Sequence, residues 1–163
     1  MNLIPKNKNL LIKLCDWNRD EQMRISQGGT SLALSDDDCY SYYNAKYTGN
    51  NMLVGVQTDG GHIKGCFFLE DIDFRNRRCY MHLTFDPDFI KVKQACTMCA
   101  DYIFNEMHLL RIYGIISEKN HLAKTLVDKM GWILAGTLPE YFSTPEGWAS
   151  GIILFLDKDN RRF

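Results

Sequence analysis

No stretch of this 163-residue sequence stays apolar long enough to cross a bilayer. The longest such run, residues 151–156, falls far below the roughly 18 residues a spanning helix needs. The N-terminus also lacks the basic, apolar and small-residue regions of a signal peptide. These absences predict a cytoplasmic protein with no membrane partner. Charge of one sign is equally scarce: 19 Lys and Arg face 20 Asp and Glu, for a net charge of −1. So balanced a chain offers no general field for a phosphate backbone, and general nucleic-acid binding is not expected. Arg75, Arg77 and Arg78 make one local basic cluster, read as a solvated turn.

The dense, short, secreted pattern of a disulfide scaffold is missing too, although six cysteines are present. Cys96 and Cys99 form a C-x-x-C, and Cys79 with His82 a C-x-x-H, so a zinc site has to be weighed. Cys79 and His82 fall in a segment that reads as a strand, where positions three apart face opposite ways. Cys96 and Cys99 continue an apolar helical stripe through Val92, Ala95, Ile103 and Phe104. Reduced, metal-free core cysteines follow from that pattern.

What is there is the composition of a globular protein, 45% hydrophobic and 24% charged. That balance and length predict one domain over residues 1–163. Residues 10–14 are expected as a first strand, followed by a helix from Asp16 to about Ser26 that Gly28 and Gly29 end. Ser35 with Asp36, Asp37 and Asp38 marks a second helix start, with Gly49 its stop. Tyr40, Tyr43 and Tyr47 recur at helical spacing along it and are read as a buried stripe. Residues 52–57, 62–69 and 78–85 form a three-stranded meander. Asp86, Pro87 and Asp88 are expected to open a long helix running to Met107. A buried strand follows over residues 110–116, then a short helix over 120–130 closed by Gly131. Strands over 132–137 and 149–156 complete the chain, which makes the fold class α/β with a mixed α+β sheet.

This order, and the spacing of Ala95, Tyr102 with Phe104, Asn120 with Ala123, Gly131 with Trp132 and Gly136 with Leu138, resembles the GNAT N-acetyltransferases. From Ala95 to Tyr141 the similarity is to the RimJ/RimL-like branch. The resemblance implies acetyl-CoA as cofactor, held where the fourth and fifth strands splay, and an amine on a small molecule or protein as acceptor. It maps the pyrophosphate-binding turn onto Pro87, Ile90, Lys91, Val92, Lys93 and Gln94, where the family's glycines become Ile90 and Val92. Side chains there obstruct a close approach to phosphate, and Asp86 and Asp88 place negative charge beside it. Lys91 and Lys93 offset some of that charge. Asn120 and Ala123 fall near the cofactor arm.

The tyrosine that many family members use as general acid maps to Val127. Glu118 and His82 are then the candidate bases, each weighed against a plain surface or hydrogen-bonded role. Two functions remain open at this point: an N-acetyltransferase, or an inactive GNAT-shaped interaction or structural module. The loss of glycines resembles small degenerate GNAT-like proteins of tailed phages, which would place the chain in host cytoplasm or virion. Tyr141, Phe142 and Trp148 in the last loop are candidates for a homodimer contact, or for a hairpin packing on itself.

Overall fold

The computed structural model describes residues 1–20 and 34–161. The chain opens with β1 (Asn2–Pro5), and Asn7 then caps α1 (Lys8–Arg19) by accepting from the Leu10 amide at 3.0 Å. The run expected as a first strand, residues 10–14, is therefore helix. Leu10, Leu11, Leu14 and Trp17 recur every three to four residues and are buried along one side of α1. The expected continuation of a helix to Ser26, with its Gly28 and Gly29 stop, lies outside the described residues.

Ser35 caps α2 (Asp36–Lys46) as its sequence dictates, accepting from the Asp38 amide at 3.2 Å with three carboxylates in the first turn. The helix closes at Tyr47, ahead of the expected stop at Gly49. β2 (Met52–Gln57) leads into β3 (Ile63–Asp73), longer than expected because a bulge carries the strand past Glu70. Asp71 takes a left-handed φ of 49° in that bulge, and the chain recovers its register at Asp73. β4 (Arg78–Phe85) completes the meander over the expected residues.

The next helix starts later than Asp86, Pro87 and Asp88 predict. Both carboxylates are engaged elsewhere, so residues 86–91 form a turn and α3 begins at Val92. α3 (Val92–Asp101) runs into a π-helical turn, Tyr102–Glu106. β5 (Arg111–Ser117) and α4 (His121–Met130) follow, α4 ending on Gly131 at φ +85°, the left-handed cap a glycine takes without strain. β6 (Ile133–Thr144) and β7 (Gly147–Asp157) make a hairpin longer than expected. Tyr141, Phe142 and Trp148 consequently lie in strands and not in a loop.

The seven strands form one sheet in the order β1-β2-β3-β4-β5-β7-β6. Among the described strands only β4 and β5 pair in parallel, as the strand, helix, strand crossover through α3 requires. One face of the sheet presents Phe67, Leu69, Met81 and Ile112 to Cys96, Cys99 and Phe104 of the α3 segment. The other face presents Leu53, Cys66 and Phe68 to Leu10, Leu14 and Trp17 of α1 and to the tyrosines of α2. Each such fully buried side chain contributes about 1.5–3 kcal/mol of transfer free energy. The Tyr40, Tyr43 and Tyr47 stripe is thus packing, with Tyr47 buried against Phe68 at 5.5 Å.

Candidate active site

β4 and β5 stay together for only three pairs, Arg78–Arg111, Cys79–Ile112 and Tyr80–Tyr113. Beyond them β4 continues on β3 while β5 continues on β7, so the sheet opens into a fork. Gly114 stands at the fork's base, where an added Cβ would meet both the Met81 carbonyl and the Trp132 ring at 3.3 Å. Past the last pair the β4–β5 ladder stops, and the Tyr80 phenol from β4 is hydrogen-bonded to the Ile115 backbone of β5 at the fork's base.

Alternation along β4 puts Tyr80 and His82 on the α1–α2 side of this fork. The His82 ring stacks on Phe68, its register partner, at 4.4 Å and 9°. Its Nε2 lies 3.3 Å from Glu70 Oε1. That same oxygen accepts from the Tyr47 hydroxyl at 2.6 Å and pairs with Lys46 Nζ at 2.8 Å. The hydrogen bond with His82 holds the Glu70 carboxyl well below the usual range; burial opposes this, and Lys46 and Tyr47 reinforce it. Burial drives the Tyr47 phenol far up, and Glu70 adds to that. Burial also pushes the Tyr80 phenol up to about 12, helped by Tyr141 and Glu70. Tyr141 itself packs where Gly151 leaves room, so a Cβ on that glycine would meet the Tyr141 ring at 3.0 Å. This is the hairpin packing on itself, and Trp148 remains 63% exposed.

Glu118 is placed differently from His82. Its Oε1 accepts from the Ser150 amide at 2.7 Å and its own amide donates to Ser150 O at 3.0 Å. Those Ser150 contacts lower its pKa, which weakens it as a base. Asn120 caps α4 by accepting from the Ala123 amide at 2.9 Å, so both residues have a structural task at the fork's far rim.

At the start of α3, Lys91 provides no side-chain cap and no acidic residue occupies the first turn. The first helical bond comes from Ala95 N to Lys91 O, leaving the amides of Val92, Lys93 and Gln94 without helical acceptors. No residue from 86 to 93 has a positive φ, so this turn does not need glycine, and the Ile90 side chain is 92% exposed. The charge expected from Asp86 and Asp88 is also answered. Lys64 pairs with both, and Asp86 is further held by Lys13 at 3.1 Å. An anionic group fits this uncapped turn between exposed Lys91 and Lys93.

Cys79 is buried on the α3 side while His82 is half-exposed on the other, so they share no site. Among the described residues no group of three or more His, Cys, Asp or Glu is placed to hold a metal ion, and all six cysteines are free and buried. No helix among the described residues is long and apolar enough to cross a membrane.

No protein-family model matches the chain, and no curated relative does. Solved structures do. A spermidine N-acetyltransferase from Vibrio cholerae in complex with CoA and spermine superposes with a TM-score of 0.88 at 17% identity, covering 98% of this chain and 96% of the other. The chain has the GNAT fold. A dodecameric form of the spermidine N-acetyltransferase from Vibrio cholerae, in an intermediate state, gives 0.82 at 18% identity over 97% of this chain and 94% of that one. A chimera of the Vibrio cholerae protein SpeG with hSSAT gives 0.84 at 16%, over 98% and 97%. Within this GNAT fold, Glu70, Lys46 and Tyr80 were not among the residues singled out from sequence, and Tyr47 was read only as part of a buried stripe. Glu70 fell just past the expected end of its strand, yet alternation from Phe68 would have placed it beside His82.

Proposed function

We propose that this protein is an acetyl-CoA-dependent N-acetyltransferase acting on a small amine. The observation that carries the reading is the β4–β5 fork, which opens beside His82 on one face and the uncapped α3 turn at its mouth. Acetyl-CoA, when bound, supplies the activated acetyl group. The amides of Val92, Lys93 and Gln94, with the Lys91 and Lys93 side chains, would hold its pyrophosphate, and the open edges of the fork its pantetheine arm. Asn120, the cap of α4, stands on the β5 side of the fork. His82 takes a proton from the acceptor ammonium so that the amine can attack, a role that Glu118, tied to Ser150, fills less well.

The acceptor approaches over the α1–α2 face. A cleft of about 710 Å³ beside the last β4–β5 pair is lined by Asp71, Asp73, Phe74, Arg78, Tyr80 and Tyr113, among others; Arg78 pairs with Asp73 at 3.7 Å, which leaves Asp71 as the carboxylate for a cation. Carboxylates and aromatic faces suit a cationic amine. Spermine bound to the Vibrio cholerae structure makes polyamines the first acceptors to try.

Two measurements test this. Acetyl-CoA should raise the melting temperature of the purified protein, and thiol release should follow when spermidine, spermine or other amines are added. No binding heat at millimolar acetyl-CoA, together with no thermal shift, would sink the enzyme reading in favour of an inactive interaction module.

A further inference from the structure

We infer that Glu70 is a positioning residue for His82, presenting the imidazole with Nε2 as donor and Nδ1 as the open proton acceptor. This rests on His82 acting as the base. Geometry fixes the ring twice. Stacking on Phe68 at 9° sets its plane, and the contact of Nε2 with Glu70 Oε1 at 3.3 Å sets its rotation.

The tautomer follows from counting donors. An ionised carboxylate only accepts, so each group that bonds Glu70 Oε1 must bring a proton. Tyr47 brings its hydroxyl, Lys46 its ammonium and His82 its Nε2–H. Nδ1 is left as the ring nitrogen with a lone pair, and no residue among those described bonds it. Lys46 also pairs with this carboxylate at 2.8 Å, so Glu70 is held in place from α2. The groups facing His82 come from three elements: Glu70 and Phe68 from β3, Tyr80 from β4, and Lys46 and Tyr47 from α2, the last two through Glu70.

Nitrogen-15 NMR of histidine-labelled protein reads the tautomer directly, with His82 assigned through His82→Asn. The wild type should show a neutral ring protonated at Nε2. Glu70→Ala should mix the two tautomers and lower kcat about tenfold to a hundredfold. KM for acetyl-CoA should stay within about twofold, because Glu70 stands on the acceptor side of the fork. Glu70→Gln keeps the volume, so it carries the same readouts should Glu70→Ala fail to fold, with an intermediate loss expected. A His82 spectrum unchanged in both variants of an active enzyme overturns the part given to Glu70 alone. A wild type that transfers acetyl to no amine overturns His82 as base, and this inference with it.

Discussion

The indole N–H of Trp17 donates to the carboxylate of Asp86 at 2.6 Å, joining α1 to the turn between β4 and α3. Only 13% of the Asp86 side chain is exposed, and Lys13 and Lys64 complete its shell. Trp17→Phe removes the donor and leaves an aromatic ring in place, so it should cost about 1–3 kcal/mol for the weakened charged hydrogen bond and lost packing. Asp86→Ala strands the indole N–H and removes the carboxylate that Lys13 pairs with, while Lys64 keeps Asp88, and it should cost at least as much. Urea denaturation of both variants checks this. Equal stability in Trp17→Phe and wild type would mean that the contact does not hold the turn.

Acid should weaken the fold through two carboxylates. Hydrogen bonding by His82 lowers the Glu70 pKa, and for Asp86 the donors Trp17, Lys13 and Lys64 outweigh an opposing burial penalty. Each group therefore binds fewer protons folded than unfolded. Their stabilisation is complete above the ordinary carboxylate pKa of about 4 and is lost as pH falls through the folded values. Urea midpoints measured from about pH 7 to pH 3 should fall more steeply in wild type than in Glu70→Gln. Parallel curves would show that Glu70 contributes no such linkage.

The part of the fold legible in the sequence was the part written in local chemistry. Ser35 and its three acids announced α2, Gly131 closed α4, and the alternation of β4 matched its residues 78–85. The failures came where distant partners decide. Residues 10–14 read as strand because four apolar residues around Lys13 look alike in both periods, and the Asn7 cap that settles it lies outside the run. Asp86 and Asp88 looked like a helix start until Trp17, Lys13 and Lys64, from other elements, claimed them. His82 was named from sequence as a candidate, whereas its contact with Glu70 was not, because Glu70 fell past the expected strand end and meets His82 diagonally across two strands.

Thiol chemistry gives a direct test of the core. Burial pushes Cys79 and Cys96 up to about 12, and drives Cys66 and Cys99 well above the ordinary thiol value. Ellman's reagent needs an accessible thiolate, so native protein should react slowly at neutral pH and release six equivalents once guanidinium unfolds it. Rapid reaction of all six thiols in the native protein would contradict their burial on both faces of the sheet.

Gly65 pairs with Phe85 at the end of β4, where an added Cβ would come within 2.0 Å of the Phe85 ring. That ring is stacked on Phe89 and meets Phe67 edge-on, so it has neighbours on both sides. Gly65→Ala should cost about 1–3 kcal/mol by overpacking, and should disturb the turn that leads to α3. A stability loss below about 0.5 kcal/mol would show that Phe85 swings aside freely.

In the proposed acetyl-CoA complex the α3 turn would meet the pyrophosphate, and the charges around it oppose one another in a way the ion pairs resolve. Lys91 and Lys93 are exposed beside three unbonded amides, whereas Asp88 is already paired with Lys64 at 2.9 Å. A pyrophosphate bound at this helix start would meet these cations with no protein carboxylate in the first turn to compete for them. Lys91→Ala and Lys93→Ala should therefore each raise the acetyl-CoA Kd by about twofold to fivefold, and the loss should shrink in high salt. Asp88→Asn should change it by less than about twofold, because the charge it removes is screened and already answered. Titration calorimetry on the three variants separates the effects. A large gain in Asp88→Asn would mean that Lys64 does not neutralise the turn, and unchanged binding in both lysine variants would move the cofactor away from α3.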